Sequence, residues 1–114
     1  SGVALFCTLK DFDKKAAGLS KSQRESLLRD YTSLVREVVP DFKGTFIRSK
    51  DNVYTNLVAF GAVKPTAIDI AFSFQCALDL KEKIKVLGER YGIPNLMPSI
   101  GINSGRITFE KYHA

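Results

Sequence analysis

The chain contains no tryptophan, one methionine, one histidine and two cysteines among its 114 residues. With a single histidine and no Cys-x-x-Cys spacing, a zinc centre is excluded as a reading of the sequence. No run approaches the roughly 18 apolar residues of a membrane-spanning helix, and no basic-then-apolar opening marks a signal peptide. Neither a phosphate loop nor a dinucleotide Gly-x-Gly-x-x-Gly motif occurs. Ser104 lies in Asn-Ser-Gly rather than Gly-x-Ser-x-Gly, so a hydrolase elbow is unsupported. His113 stands in the terminal tail with no partner in view and reads as an ordinary tail histidine. Repeats and low-complexity segments are absent too.

What is present is ordinary for a globular protein: 45% hydrophobic and 25% charged residues, in a length that suits one compact domain over 1–114. The net charge of +5 is scattered, with only Lys14-Lys15 adjacent and Lys81, Lys83 and Lys85 alternating. That pattern describes a solvated surface with surplus base rather than a nucleic-acid patch. Cys7 and Cys76 fall in apolar segments and read as buried thiols of a reducing compartment, which points to the cytoplasm. Ser1-Gly2 looks like a cut end, compatible with a domain taken from a longer, membrane-anchored protein.

Hydrophobic spacing orders the elements. Val3 to Leu9 is an apolar run of strand length, expected as a central strand buried on both faces. A polar loop over 10–19 follows. Ser20 and Ser22 both offer helix caps, and Ser22-x-x-Glu25 has capping-box spacing. Leu27, Leu28, Tyr31, Leu34, Val35 and Val38 then recur at helical intervals until Pro40. Gly44–Ser49 and Val53–Phe60 form a hairpin around Lys50-Asp51-Asn52. Pro65 opens a second helix that ends at Gly92. The first half of this helix is apolar nearly all round, so it is either deeply buried or covered by another chain or domain. Pro98 to Asn103 begins a last strand, which Arg106–Phe109 can extend. The order β-α-β-β-α-β predicts an α+β, ferredoxin-like sandwich: a four-stranded antiparallel sheet with the helices packed on one face.

Three segments carry a resemblance. Phe6-Cys7-Thr8-Leu9-Lys10-Asp11-Phe12, Lys50 through Phe60-Gly61-Ala62, and Ser99-Ile100-Gly101-Ile102-Asn103-Ser104-Gly105-Arg106-Ile107 resemble, in order and spacing, the catalytic domain of class III nucleotidyl (adenylate and guanylate) cyclases. The family patterns are Phe-x-Asp-Ile-x-Gly-Phe, Lys-x-x-Gly-Asp-x-x-(Leu/Met)-Ala-x-Phe and (Arg/Val)-Ile-Gly-Ile-(His/Asn)-Thr-Gly-x-Val. The resemblance runs from Val3 to about Ile107 and corresponds to the N-terminal part of the family's domain. The family's second purine-reading aspartate and its transition-state Asn and Arg lie beyond the matched part. In the third segment Gly101 and Gly105 are expected to serve backbone crowding and a turn.

The resemblance implies site positions that this chain fills differently. In the family two strand carboxylates hold two divalent ions that activate the ribose hydroxyl and neutralise the triphosphate. Here those positions are Thr8 and Tyr54. Hard cations need charged oxygen ligands, and a hydroxyl and a neutral phenol do not supply them. Moving Asp51 onto the second position requires a three-residue insertion and puts Ile47 where the family has lysine. Aligning Phe60 instead places Lys50, Leu57 and Val58 on family positions without gaps, and Asp51 becomes a turn residue. The nucleotide-binding candidates carried over are Lys50, as a purine reader, with Leu9 and Phe12 in the phosphate-cradling turn. The plainer reading of Lys50 is a solvated lysine at a hairpin edge. Asp11 stands where the family has glycine and would repel phosphate.

The expected function is therefore a degenerate, non-catalytic cyclase-homology domain: a dimerisation or regulatory module in signalling that takes no cofactor, has no catalytic or metal residues and pairs with itself or another cyclase-type domain. The alternative is one half of a heterodimeric adenylate cyclase. It would supply the purine-binding lysine while a partner supplies the carboxylates for Mg²⁺ and ATP. A third reading, RNA recognition through a shared fold, lacks the aromatic signature on the third strand, which reads Val53-Tyr54-Thr55-Asn56-Leu57-Val58-Ala59-Phe60. The domain itself is expected to make no membrane contact.

Overall fold

The computed structural model describes residues 2–49, 54–61 and 68–105. Along the chain run β1 (Gly2–Leu9), α1 (Phe12–Lys15), α2 (Lys21–Val38), a 3₁₀ turn (Val39–Phe42), β2 (Gly44–Ser49), β3 (Thr55–Phe60), α3 (Asp69–Arg90) and β4 (Pro98–Gly105). The four strands form one sheet in the order β2-β3-β1-β4, every neighbouring pair antiparallel. Both long helices pack on one face of it and against each other. This is the expected ferredoxin-like sandwich.

β1 is central because both of its faces are apolar. Val3, Leu5, Cys7 and Leu9 point into the helix-side core, and Ala4 is buried on the other face. α2 meets this core through Leu27, Tyr31, Val35 and Val38, and α3 through Cys76, Leu80, Ile84 and Leu87. β2 and β3 pair from Gly44↔Phe60 to Ser49↔Asn56, with a bulge between Phe46 and Arg48. The Arg36 guanidinium lies 4.8 Å from the Phe46 ring centroid and ties α2 to that edge strand.

Several expectations are corrected. α2 is capped by Ser20 and not by Ser22. The Ser20 hydroxyl accepts from the Gln23 N–H at 3.1 Å, and the Ser20 N–H donates to the Gln23 side chain at 2.9 Å. The chain enters the helix two residues earlier than the Ser22-Glu25 spacing suggested, because Ser20 has the extended backbone that a cap requires. The loop over 10–19 contains the helical turn α1, seated by the buried ring of Phe12. A β-carbon at Gly101 would meet nothing within 4 Å, so no crowding selects glycine there. Gly105 pairs with Gly2 at the last described position of β4, and the residues a turn would involve beyond it lie outside the described ones. Lys50–Val53, Pro65 and Arg106–Phe109 lie outside the described residues, as does His113.

The first half of α3 is buried on one side only. Ser73, Cys76 and Leu80 are fully enclosed, whereas Ile70, Phe74 and Leu78 are 43%, 56% and 67% exposed.

Candidate functional site

Thr8 and Tyr54, the residues that the resemblance sets at the family's carboxylate positions, lie at one corner of the sheet. Thr8 is the register partner of Thr55 on β3, and the Leu9 N–H donates to the Tyr54 carbonyl at 3.2 Å on the next rung. Position 8 and position 54 are thus one rung apart at the end of the two central strands. This spatial pairing follows from the antiparallel register of β1 with β3.

Both side chains have structural partners. The Thr8 hydroxyl is 2.9 Å from the Thr55 hydroxyl, a cross-strand pair. The Tyr54 ring lies 5.0 Å from that of Phe12 at a tilt of 41°, and its hydroxyl donates to Asp13 Oδ1 at 3.0 Å. That hydrogen bond to a carboxylate raises the Tyr54 pKa, so the phenol stays neutral in the physiological range. Beneath this corner, Tyr31 reaches up from α2. Its buried hydroxyl lies 2.7 Å from the Cys7 carbonyl and 2.8 Å from the Tyr54 carbonyl, donating to this pair. Burial drives its pKa well up.

The turn after β1 keeps a glycine-like shape without glycine. Asp11 has φ 52° and ψ 36°, left-handed geometry that Asp and Asn tolerate better than other side chains. Asp11 thus takes a conformation usual for glycine while adding a negative charge to the turn. The Lys10 N–H donates to the Met97 carbonyl at 2.9 Å, and the Leu9 N–H is taken by Tyr54, so two backbone donors of this turn are engaged within the protein. The side chains of Leu9 and Phe12 are buried in the core. Lys50 lies outside the described residues.

Around the corner opens a groove of about 390 Å³ lined by Phe12, Asp13, Lys21, Arg24, Leu28 and Tyr54, with Glu25 beside them. Its charges balance, two cations against two carboxylates. Among the described residues no group of three His, Cys, Asp or Glu could hold a metal ion. A threonine pair and a phenol do not fit a site for two divalent cations. Sequence reasoning missed Thr55, Asp13 and Tyr31. Thr55 becomes visible once β1 and β3 are paired, but the carbonyls that Tyr31 meets leave no mark in the sequence.

No protein-family model and no curated protein matches the chain. Solved structures do. The guanylyl cyclase Cya2 superposes with a TM-score of 0.77 at 22% identity, over 91% of this chain and 53% of that one. The guanylate cyclase domain of RhGC from Catenaria anguillulae, solved with GTP, gives 0.73 at 16% identity, over 91% and 56%. The adenylyl cyclase CyaB from P. aeruginosa gives 0.68 at 16% identity, over 89% and 52%. The fold is that of a class III nucleotidyl cyclase catalytic domain.

The chain spans about half the length of these cyclases. Identity of this order shows the architecture and leaves the reaction to be argued from the residues. Those residues set Thr8 and Tyr54 at the corner where the resemblance expects metal carboxylates. Among the described residues, no helix is long and apolar enough to cross a membrane.

Proposed function

We propose that this domain is a non-catalytic cyclase-homology module that works by pairing with another cyclase-type domain, its own copy or a different one, in a signalling protein. The observation that carries the reading is the engagement of Thr8 and Tyr54. Both are uncharged, and both are held by neighbours, Thr55 in one case and Phe12 with Asp13 in the other. Phosphoryl transfer depends on cations that neutralise charge on the phosphates, and neutral ligands hold such cations poorly. The fold, by contrast, is retained over nine-tenths of the chain. Support for pairing comes from a non-canonical dimeric guanylyl cyclase domain, that of the RhoGC fusion protein from Blastocladiella emersonii, which superposes at a TM-score of 0.72 and 16% identity over 91% of this chain and 56% of that one. Two buried free thiols suit a reducing, cytoplasmic setting.

Calorimetric titration with ATP or GTP, each with Mg²⁺ or Mn²⁺, is the direct test. No metal-dependent binding and no cyclic nucleotide are expected, and micromolar affinity overturns the reading. Mixing with a cyclase domain that carries both carboxylates should yield a complex by sedimentation. Cyclic AMP formed by the mixture and by neither component alone would make this chain the purine-reading half of an enzyme instead, with Lys50 in that role.

A further inference from the structure

α3 carries an outer face that neither the core nor the candidate site uses. Ile70, Phe74 and Leu78 follow one another at four-residue spacing, and Lys81 and Lys85 continue the same line. At about 3.6 residues per turn these five fall within an arc of roughly 80°, along about 22 Å of helix. One half of the face is apolar and the other basic. Asp79 pairs with Lys83, but among the described residues no carboxylate pairs with Lys81 or Lys85.

The basic half borders a groove of about 290 Å³ lined by Lys81, Glu82 and Lys85 of α3 and by Asn95, Leu96 and Met97, so that two ammonium groups stand against one carboxylate and Met97 adds exposed apolar surface. The loop at 95–97 is held in place by two hydrogen bonds. The Lys10 N–H donates to the Met97 carbonyl at 2.9 Å, and Lys15 Nζ to the Asn95 carbonyl at 3.0 Å. The groove is thus built into the fold.

We propose that this face docks an acidic amphipathic helix of a partner protein, about four turns long, with apolar side chains over Phe74 and Leu78 and carboxylates at Lys81 and Lys85. Contiguous exposed apolar residues on a folded surface mark an interaction site, and a helix laid in a groove is a recurrent way to fill one. Charge decides the occupant. A second copy is a poor match. Parallel self-pairing sets Lys81 and Lys85 against themselves, and antiparallel pairing sets them over Ile70 and Phe74. A helix with acidic residues at one end satisfies both halves, and the net charge of +5 favours its approach. The inference goes beyond the pairing of cyclase-type domains and is independent of nucleotide or metal binding.

The test uses the 114-residue chain and a labelled 16-residue peptide with leucines at helical spacing in one half and glutamates in the other, followed by fluorescence anisotropy. Saturable binding is expected, at least tenfold weaker for a control peptide with Gln in place of Glu, and weakening as salt rises. The K81E/K85E variant should lose at least tenfold toward the acidic peptide and gain affinity for one carrying Lys. Leu78→Ser should weaken both. Unchanged circular dichroism checks that each variant folds. Equal binding of the Glu and Gln peptides, or no effect of K81E/K85E, overturns the proposal. So does self-association lost on Leu78→Ser, or tight binding to phosphatidylserine vesicles that the peptide fails to displace.

Discussion

Tyr31 is the residue on which the candidate corner rests. Its hydroxyl is buried under the ends of β1 and β3 and serves both the Cys7 and the Tyr54 carbonyl. Tyr31→Phe removes the donor and leaves buried carbonyl capacity unmet, a loss of about 1–3 kcal/mol. Tyr54→Phe removes a hydroxyl that meets Asp13 in an exposed position and should cost less than about 0.5 kcal/mol. Urea unfolding of the two variants reads the contrast, and equal losses would refute this division of labour. The same pair shows where the sequence is silent. Helical spacing assigns Tyr31 to the core, but only the fold brings its hydroxyl to two strands at once. Asp11 is the converse case. The resemblance marks it as a charge where glycine is usual, and the structure shows a left-handed backbone there.

At the scale of elements, strand and helix order was legible because each has a distinct hydrophobic period and the breakers Pro40 and Gly92 stand at its ends. Gly92 has φ 74°, the left-handed conformation for which helix ends select glycine. Less legible was the start of α2, where Ser20-Gln23 and Ser22-Glu25 share one spacing and only backbone geometry separates them. Ser20→Ala should cost about 0.5–2 kcal/mol and Ser22→Ala close to nothing in thermal unfolding. The reverse ranking would restore the later cap. The close of α3 offers a second test. A β-carbon on Gly88 would sit 2.5 Å from Leu96 Cβ and 2.8 Å from the Ile93 carbonyl oxygen. Gly88→Ala must push the 93–96 segment away, at a cost of about 1–3 kcal/mol. Gly18→Ala, whose β-carbon meets nothing within 4 Å, should stay within about 1 kcal/mol of wild type. Gly88 thus fixes the approach of the segment that leads into the Asn95–Met97 loop, and with it the groove beside Lys81 and Lys85. Its displacement should weaken the acidic peptide as well.

At the scale of the whole molecule, two helices on one face of a four-stranded sheet leave both thiols in the shared core, Cys7 on β1 and Cys76 on α3. Burial disfavours the thiolate and raises Cys7 to about 11 and Cys76 to about 12, each from an ordinary value of 9.0. The sign follows from proton uptake. Between the ordinary and the raised values the folded chain holds protons that the unfolded chain releases, so raising the pH favours unfolding. The contribution of these groups is fully present below about pH 9 and drains away as pH climbs through 11 to 12. Stability against urea should therefore show no thiol-linked fall between pH 6 and 8 and then decline in alkali. A variant carrying Cys7→Ala and Cys76→Ala should show a shallower alkaline decline, whatever its stability at neutral pH. Thiol-reactive disulfide reagent at pH 8 should label neither cysteine faster than the protein unfolds. Rapid labelling of the native chain would mean that the two layers part under native conditions, and the shared core described here would not be the barrier that protects them.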